Sequence, residues 1–329
     1  MQMIMGEQEI FLSLIIPCYN VAEYLGKTIA SLEALADAED VEFLFVDDGS
    51  KDETLQLIKE FEARDRRVKC VSQPNQGVSA ARNNALPLVQ GRYFSLLDGD
   101  DFLNADAVQV IRAKIGDADL LIPDIHIYRP TRTYVWRNHI PCGTYDVDAL
   151  FEVCKFFPTS PKLIYRTSIM KEHSVTFNSQ IKCAEVFDFT VSFLKYANSV
   201  VVVDDAFYNY VIREASATHL PHFDADKTSM LLLNYIAVQN KSEWPWMQSA
   251  AFDVTVFRLI MAFTYLKYVH QKQTSPEAQA VVKELLSDKT FKKLVRRVAY
   301  GPNRLMKERL IAIYLHLMPN RLGFMLMAH

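Results

Sequence analysis

The amino-acid sequence predicts an α/β fold for about its first 125 residues, with a parallel sheet covered by helices on both faces. Short apolar runs alternate there with segments of helical periodicity, which is the pattern of successive βα units. Polar clusters directly follow three of these runs, at the strand ends where such sheets bind ligands. The 329 residues leave room for roughly one further domain of similar size.

The predicted elements alternate without a break up to residue 122. Strands are predicted over residues 12–16, 41–46, 68–71, 92–97 and 118–122. Helices are predicted over residues 23–35, 52–63, 76–89 and 108–115. The first helix illustrates the spacing, because Leu25, Ile29 and Leu32 recur every three or four positions and form one apolar side. This alternation is the main reason to expect a parallel sheet.

Beyond residue 124 the pattern loosens and then becomes helical. A strand is predicted over residues 128–135, helices over 147–156 and 185–197, and a pair of strands over 200–203 and 207–211. After Pro221, predicted helices span residues 224–239, 246–270, 276–286, 291–298 and 303–317. We therefore expect one domain over residues 1–220 and an α-helical region over residues 221–329.

Composition excludes several classes of protein. Half of the residues are hydrophobic and 12% are aromatic, which rules out a disordered or low-complexity chain. The formal net charge of −3 gives no reason to expect a nucleic-acid partner. The five cysteines form no CxxC pair, so neither a disulfide framework nor a cysteine-rich zinc site is expected. Scattered, reduced thiols are typical of a cytoplasmic protein.

The N-terminal residues and the longest apolar runs bear on location. Glu7 and Glu9 stand where a secretory signal would carry basic residues. No run reaches the roughly 18 apolar residues of a membrane span. We therefore expect a cytoplasmic protein that is soluble or peripheral on the inner face of the cytoplasmic membrane.

The acidic cluster after the fourth predicted strand is the first candidate site. The sequence Asp98-Gly99-Asp100-Asp101 places three carboxyl groups within four residues, and a cation or hydrogen-bond donors must offset their repulsion. Mg²⁺ and Mn²⁺ prefer such oxygen ligands and often share them with substrate phosphates. An acidic turn that caps the following helix is the alternative interpretation.

The other two clusters also have structural alternatives. Residues 47–52 (DDGSKD) precede a helix for which Ser50 and Glu53 form a predicted capping box. Two adjacent acids exceed what a cap requires, and they suit recognition of a nucleobase and ribose. In residues 75–84, small side chains permit close helix–sheet packing, and Arg82 has no acidic partner nearby in sequence. Its guanidinium is expected to pair with carboxylates of the crevice or to contact a nucleotide.

Together these segments resemble the family 2 glycosyltransferases, whose nucleotide-sugar domain has the GT-A fold. The matching stretches, in the family's order, are residues 13–20 (SLIIPCYN), 46–54 (VDDGSKDET), 75–83 (NQGVSAARN) and 96–101 (LLDGDD). The resemblance covers about residues 11–125 well and continues less firmly to about residue 219. It implies a GT-A domain with a mixed, helix-flanked sheet and an inverting glycosyltransferase that uses Mn²⁺ or Mg²⁺.

The resemblance also implies roles for individual residues. It places the nucleotide-diphosphate sugar against Pro17, Tyr19, Asn20, Glu23, Asp47, Asp48, Gly49, Ser50, Arg82, Asp98 and Gly99. The family's DxD element falls on Asp98 and Asp100, which would bind the metal ion, while Asp101 supports the loop. UDP is the default nucleotide. The implied acceptor is a hydroxyl of a growing glycan or lipid-linked acceptor in bacterial capsule, exopolysaccharide or lipopolysaccharide synthesis.

The sequence departs from the family's pattern at the catalytic base. Family members carry a Glu-Asp pair at the start of a helix, after a stretch like residues 162–166 (KLIYR). That pair falls here at Glu185-Val186, so the usual aspartate is a valine. Glu185 and Asp188 lie three residues apart on one side of the predicted helix, and either is a candidate base.

Two later segments bear on partners. Residues 207–218 resemble the family's Tyr-rich strand and Ser/Thr loop, from which Arg213, Ser216, Thr218 or His219 would reach the diphosphate, with a plain surface loop as the alternative. Residues 289–321 carry nine lysines and arginines against Glu308 as their one acid, with apolar residues interleaved. Such a basic amphipathic tail predicts peripheral membrane contact, and packing on the protein's own core or in a homodimer is the alternative.

Two other functions stay open at this point. A noncatalytic, nucleotide-sugar-binding partner subunit is supported by Val186 at the usual position of the base. A nucleotidyltransferase would carry a Gly-rich phosphate loop with a basic residue after the first strand, and residues 17–20 (PCYN) have neither feature.

Overall fold

The computed structural model describes residues 9–35, 38–129, 132–155, 157, 162–181, 184–212, 243–265, 285–302 and 306–317. Its strands are β1 (Leu12–Cys18), β2 (Val41–Asp47), β3 (Val68–Ser72), β4 (Tyr93–Leu96), β5 (Phe102–Leu103), β6 (Leu120–Arg129), β7 (Arg132–Trp136), β8 (Gly143–Tyr145), β9 (Ile164–Arg166) and β10 (Val200–Val211). Its helices are α1 (Ala22–Glu33), α2 (Thr54–Arg64), α3 (Val78–Ala85), α4 (Ala107–Ile115), α5 (Val147–Val153), α6 (Thr167–Glu172), α7 (Glu185–Leu194), α8 (Ala250–Tyr265), α9 (Lys289–Tyr300) and α10 (Met306–Leu317).

The described strands form one mixed sheet in the order β3-β2-β1-β4-β9-β6-β10-β5, with β7 beside β6 and β8 beside β10. β1 pairs in parallel with β2 and β4, and β2 pairs in parallel with β3. Every residue of β1, β2 and β4 is buried, as expected for strands covered on both faces. The predicted α/β fold with helices around a central sheet is confirmed.

The carboxyl ends of β1, β2 and β4 meet at one edge of this sheet. Cys18 at the end of β1 is in register with Asp47 at the end of β2. The carbonyl oxygen of Cys18 accepts from the Asp48 amide at 2.8 Å, and that of Ile15 accepts from the Leu97 amide at 3.0 Å. The polar clusters that follow these strands are therefore neighbours in space.

Several element boundaries in the second half of the sheet differ from the sequence-based prediction. The strand expected over residues 128–135 is instead the end of β6 and most of the antiparallel β7. The expected pair of strands is the single strand β10, whose register against β6 shifts on either side of Ala206. β5, β8 and β9 were not predicted, because strands of two or three residues are too short to show a periodicity and are defined by their neighbours.

The C-terminal helices pack on the sheet domain through an aromatic core. Phe151 of α5 stacks on Trp246 with ring centroids 5.1 Å apart and on Phe157 at 5.3 Å. The Phe157 amide donates to Thr255 Oγ1 of α8 at 2.7 Å. The predicted division at residues 220 and 221, and the predicted helix over 224–239, lie outside the described residues.

None of the helices that the structure describes combines the length and the apolarity needed to cross a bilayer.

Candidate functional site

The loops after β1 and β2 are joined by hydrogen bonds between residues that the sequence singled out. Asn20 has a left-handed backbone with φ of 50°, and its Oδ1 accepts from the Lys51 amide at 2.8 Å. The Asn20 amide donates to Ser50 Oγ at 3.1 Å. The predicted capping box of Ser50 and Glu53 is wrong, because α2 begins at Thr54 and the Thr54 amide donates to Asp52 Oδ1 at 3.1 Å.

The adjacent acids Asp47 and Asp48 are both buried and bind different parts of the chain. Asp48 accepts three bonds of 2.8 Å, from Gln73 Nε2 and from the amides of Gln76 and Gly77. Asp47 accepts from the Ser50 amide at 3.2 Å and from a serine hydroxyl of β3 at 3.1 Å. Asp48 therefore fixes the loop that leads into α3, and Asp47 fixes the loop that leads into α2.

Gly49, between these loops, occupies a position that no side chain fits. Its φ is 72°, and an added Cβ would lie 2.8 Å from the Asn75 amide nitrogen and 3.1 Å from the Gln73 carbonyl oxygen. Gly99 is equally confined, with an added Cβ 2.8 Å from Cys18 Sγ. At Gly49 the backbone lies against the backbone of another cluster, and at Gly99 it lies against the Cys18 side chain; glycine allows both close approaches.

Asp98 is the centre of the site, because both of its carboxylate oxygens face a cation. Arg82 Nη2 of α3 lies 3.0 Å from Oδ1, and Lys162 Nζ lies 3.3 Å from Oδ2. Burial opposes ionisation of Asp98, but the attraction of Lys162 and Arg82 outweighs it and lowers the pKa of the carboxyl. The expectation that Arg82 pairs with carboxylates of the crevice is confirmed.

Arg82 also connects Asp98 to α7. Its side chain is 3% exposed, and its Nη1 donates to Glu185 Oε1 at 2.6 Å. Burial alone would lower the pKa of the Arg82 guanidinium, but Glu185 and Asp98 reverse the effect and raise it. The guanidinium therefore stays charged and bridges two carboxylates that are 87 positions apart in sequence (residues 98 and 185).

Lys162 and Asp101 form a second, fully buried pair beneath the first. Lys162 Nζ lies 2.9 Å from Asp101 Oδ2, which also accepts from the Tyr208 hydroxyl at 2.7 Å. Asp101 Oδ1 accepts from the Val211 amide at 2.8 Å, and the Lys162 ammonium lies 3.8 Å from the centroid of the Tyr208 ring. Burial raises the pKa of Asp101 despite the opposing effect of Lys162. Asp101 thus supports the loop, as the resemblance implied.

Sequence reasoning did not assign a role to Lys162 or Tyr208. The available signals are the stretches 162–166 and 207–218, which contain Lys162 and Tyr208 and resemble the family. A lysine in a sequence is normally solvated, and only the folded chain places its side chain at 2% exposure beneath an acidic loop.

Asp100 and Asp98 are the candidate metal ligands, and both are half-buried. Among the described residues, no group of three or more histidines, cysteines or acids could hold a metal ion. Mg²⁺ and Mn²⁺ sites often use only one or two carboxylates together with substrate phosphates. Two half-buried carboxylates, of which Asp98 already faces Arg82 and Lys162, fit an ion whose remaining ligands come from a diphosphate.

The start of α7 holds the two candidate bases. Glu185 is its first residue, follows Ala184 with φ of 59°, and is tied to Arg82. Asp188 is half-buried one turn further along the helix. Val186, at the family's usual position for the base, is 4% exposed and packs in the core.

Three further sequence-predicted residues lie from the end of β1 to the first turn of α1, and four lie outside the described residues. Pro17 is buried within β1, Tyr19 is 44% exposed in the following loop, and Glu23 is exposed in the first turn of α1. Arg213, Ser216, Thr218 and His219 lie outside the described residues.

Comparison with known proteins supports the family suggested by the motifs. Residues 13–174 match the family model described as glycosyl transferase family 2. An uncharacterized glycosyltransferase of Bacillus subtilis, EpsJ, is 27% identical over 64% of this chain and 63% of its own length. The chondroitin synthase of Escherichia coli is 41% identical over 30% of this chain and 14% of its own length. The chain thus spans less than two thirds of these relatives.

Solved structures show the same fold. Staphylococcus aureus TarS 1–349 in complex with UDP-GlcNAc has a TM-score of 0.69 at 20% identity, covering 93% of this chain and 87% of that one. The mannosyltransferase PcManGT from Pyrobaculum calidifontis, in complex with GDP-Man and Mn²⁺, has a TM-score of 0.54 at 12% identity, covering 94% and 88%. At these identities the likeness concerns the fold alone.

Removing the buried lysine should destabilise the protein strongly. In Lys162→Met, Asp98 loses one of its cations and Asp101 loses its ion-pair partner, so we expect a loss of roughly 3–5 kcal/mol in the free energy of unfolding. Lys59→Met is the matched control, because Lys59 is 52% exposed in its pair with Glu62 and should cost less than about 1 kcal/mol. Urea unfolding measures both, and equal losses would contradict a structural role for Lys162.

Two glycine substitutions should act in opposite directions. Gly49→Ala forces a side chain into a left-handed position against backbone atoms, and we expect a loss of about 1–3 kcal/mol. In Gly26→Ala, on α1, the added Cβ meets no atom within 4 Å, so better helix propensity should stabilise the protein by up to about 1 kcal/mol. Thermal unfolding compares them, and a neutral Gly49→Ala would mean that the loop rearranges freely.

Proposed function

Residues 13–174 form a family 2 glycosyltransferase domain, and on that premise we propose that the chain transfers a sugar from a nucleotide-diphosphate sugar to an acceptor hydroxyl with inversion at the anomeric carbon. The observation that carries the proposal is the meeting of Arg82, Asp98 and Glu185 beside the loop that follows β4, at the carboxyl edge of the sheet. Ligands of such sheets bind at this edge.

The proposed donor is a UDP-sugar. The structural neighbour TarS has been solved with UDP-GlcNAc and with UDP, which supports this choice of nucleotide. The loops after β1 and β2 offer Tyr19, Asn20 and Ser50 to the nucleobase and ribose. Hydrogen bonds between the two loops, and one from the Ser50 amide to the buried Asp47, hold the loops in place before a donor arrives. Such prior ordering lowers the entropy lost on binding.

The proposed acceptor is a hydroxyl of a growing or lipid-linked bacterial surface glycan. The relatives include a teichoic acid poly(glycerol phosphate) polymerase of Staphylococcus epidermidis, 27% identical over 58% of this chain and 27% of its own length. They also include the poly(ribitol-phosphate) beta-N-acetylglucosaminyltransferase TarS, 28% identical over 61% of this chain and 35% of its own length. Both names describe polymers of the cell surface, which supports an acceptor of that class.

Asp100 and Asp98 would hold Mn²⁺ or Mg²⁺, and the ion would act as a Lewis acid toward the departing diphosphate. The chain's own contribution is to keep Asp98 ionised and fixed. Arg82 and Lys162, which are far apart in sequence, each approach one of its two oxygens. The carboxylate is therefore oriented without help from substrate. A fixed carboxylate costs no reorganisation when substrate binds.

We assign the base to Asp188 and a positioning role to Glu185. Glu185 already accepts a short bond from the buried Arg82, which commits it to orienting the guanidinium beside Asp98. Asp188, three residues on, would accept the proton of the acceptor hydroxyl as that oxygen bonds to the anomeric carbon. The bond from the anomeric carbon to the diphosphate oxygen breaks, and the nucleoside diphosphate leaves with the electron pair.

Hydrolysis of nucleotide sugars tests the donor site. We expect release of UDP from at least one UDP-sugar with Mn²⁺, and a loss of roughly 100-fold in Asp100→Asn. Asp106→Asn is the control, because Asp106 is an exposed acid nearby whose side chain makes no cap bond to α4. If a donor binds but neither water nor any acceptor turns it over, the noncatalytic partner subunit is the better assignment. If none binds, a donor site is excluded.

Transfer to an acceptor separates the two acids of α7. With octyl glycosides as acceptors, Asp188→Asn should lower kcat by roughly 10²–10⁴-fold and leave the KM for the donor unchanged. Glu185→Gln should raise the donor KM, because Arg82 and Asp98 lose a charged neighbour. Glu172→Gln, at the exposed end of α6, is the matched control. The reverse pattern would make Glu185 the base.

A further inference from the structure

The exposed side of α9 is strongly basic. Its apolar side chains, among them Phe291, Leu294 and Val298, are buried in the core. The side chains of Lys289, Lys292, Lys293 and Arg296 are exposed, and each lies three or four residues from at least one other of them, on the opposite side of the helix. The outer side of this helix therefore carries these four cations and, at its C-terminal end, the exposed Tyr300.

These positive charges are not neutralised within the described chain. Lys289, Lys292, Lys293 and Arg296 have no ion-pair partner among the residues that the structure describes. The nearby acids are engaged elsewhere, since Asp288 Oδ1 accepts from the Phe291 amide at 2.7 Å and Glu308 pairs with Arg258 at 3.3 Å. Neighbouring Arg297 differs, because it pairs with Asp253 at 2.7 Å.

The adjoining helix adds exposed apolar side chains. α10 packs against α9, and Arg309 Nε donates to the Ala299 carbonyl oxygen at 2.9 Å. Met306 is 67% exposed and Leu310, one turn later, is 57% exposed, with the exposed Lys307 beside them. Two large apolar side chains this open to water, on a helix that packs against the cationic α9, suit a surface that a partner covers.

We propose that the cations of α9 together with Met306, Lys307 and Leu310 of α10 dock on an anionic lipid bilayer. Anionic headgroups complement the lysines and the arginine, and the methionine and leucine would enter the boundary between headgroups and acyl chains. A nucleic acid would satisfy the charges and leave the apolar side chains exposed, so the combination favours lipid.

Vesicle co-sedimentation of the full chain, without any sugar donor, tests the surface independently of the proposed reaction. We expect binding to vesicles of phosphatidylglycerol and phosphatidylcholine in equal parts, and little binding to phosphatidylcholine alone. Each cation contributes on the order of fivefold to binding, so Lys292→Gln, Lys293→Gln and Arg296→Gln together should weaken it roughly 100-fold. Salt near 1 M, where the Debye length is about 3 Å, should weaken it likewise.

A matched variant separates this surface from net charge. Lys59→Gln, Arg64→Gln and Arg66→Gln on and after α2 remove the same charge from side chains that are 52%, 55% and 77% exposed. This variant should bind vesicles like the wild type. Equal loss in both triple variants, binding that is indifferent to phosphatidylglycerol, or a change of oligomeric state on substituting α9 would overturn the proposal. Met306→Ser with Leu310→Ser should remove the part of the binding that survives high salt.

Discussion

The pairing of Asp98 with two cations is the constraint around which this site is built. The carboxylate stands directly after β4, but Arg82 comes from α3 and Lys162 from the segment before β9. Removing either cation would leave the half-buried Asp98 carboxylate without its full compensation, and breaking such a pair costs more than replacing both partners by apolar residues. The geometry of the acidic loop therefore depends on the packing of distant segments.

This network also connects the acidic loop after β4 to the start of α7. Arg82 contacts Asp98 with one nitrogen and Glu185 of α7 with the other. Asp101 beneath them accepts from Tyr208 and from the Val211 amide, which attaches β10 to the same loop. A shift of α7 relative to the sheet would move Glu185 and, through Arg82, change the position of the Asp98 carboxylate.

Helix α9 in the C-terminal region has a buried apolar side and an exposed basic side. Phe291, Leu294 and Val298 of α9 are buried in the same core as Phe151 and Trp246, so this part of the chain contributes to the stability of the sheet domain. The opposite side of α9 carries cations that pair with no acid in the described part of the chain. One amphipathic helix therefore both completes the core and presents a charged exterior, which a hydrophobic pattern alone does not distinguish from a free membrane-binding helix.

The sequence by itself determined the βα order, the strands β1 to β4 and the polar clusters at their ends, because local periodicity reports on elements that are long enough to repeat. It also identified Asp98 and Arg82 from their residue types. Only the tertiary structure showed the pairing of Arg82 with Glu185 and the burial of Lys162, since contacts between residues far apart leave no trace in local pattern. The same holds for the three-residue β9, which is too short to show a pattern of its own. It is a strand because β4 and β6 pair with it on either side.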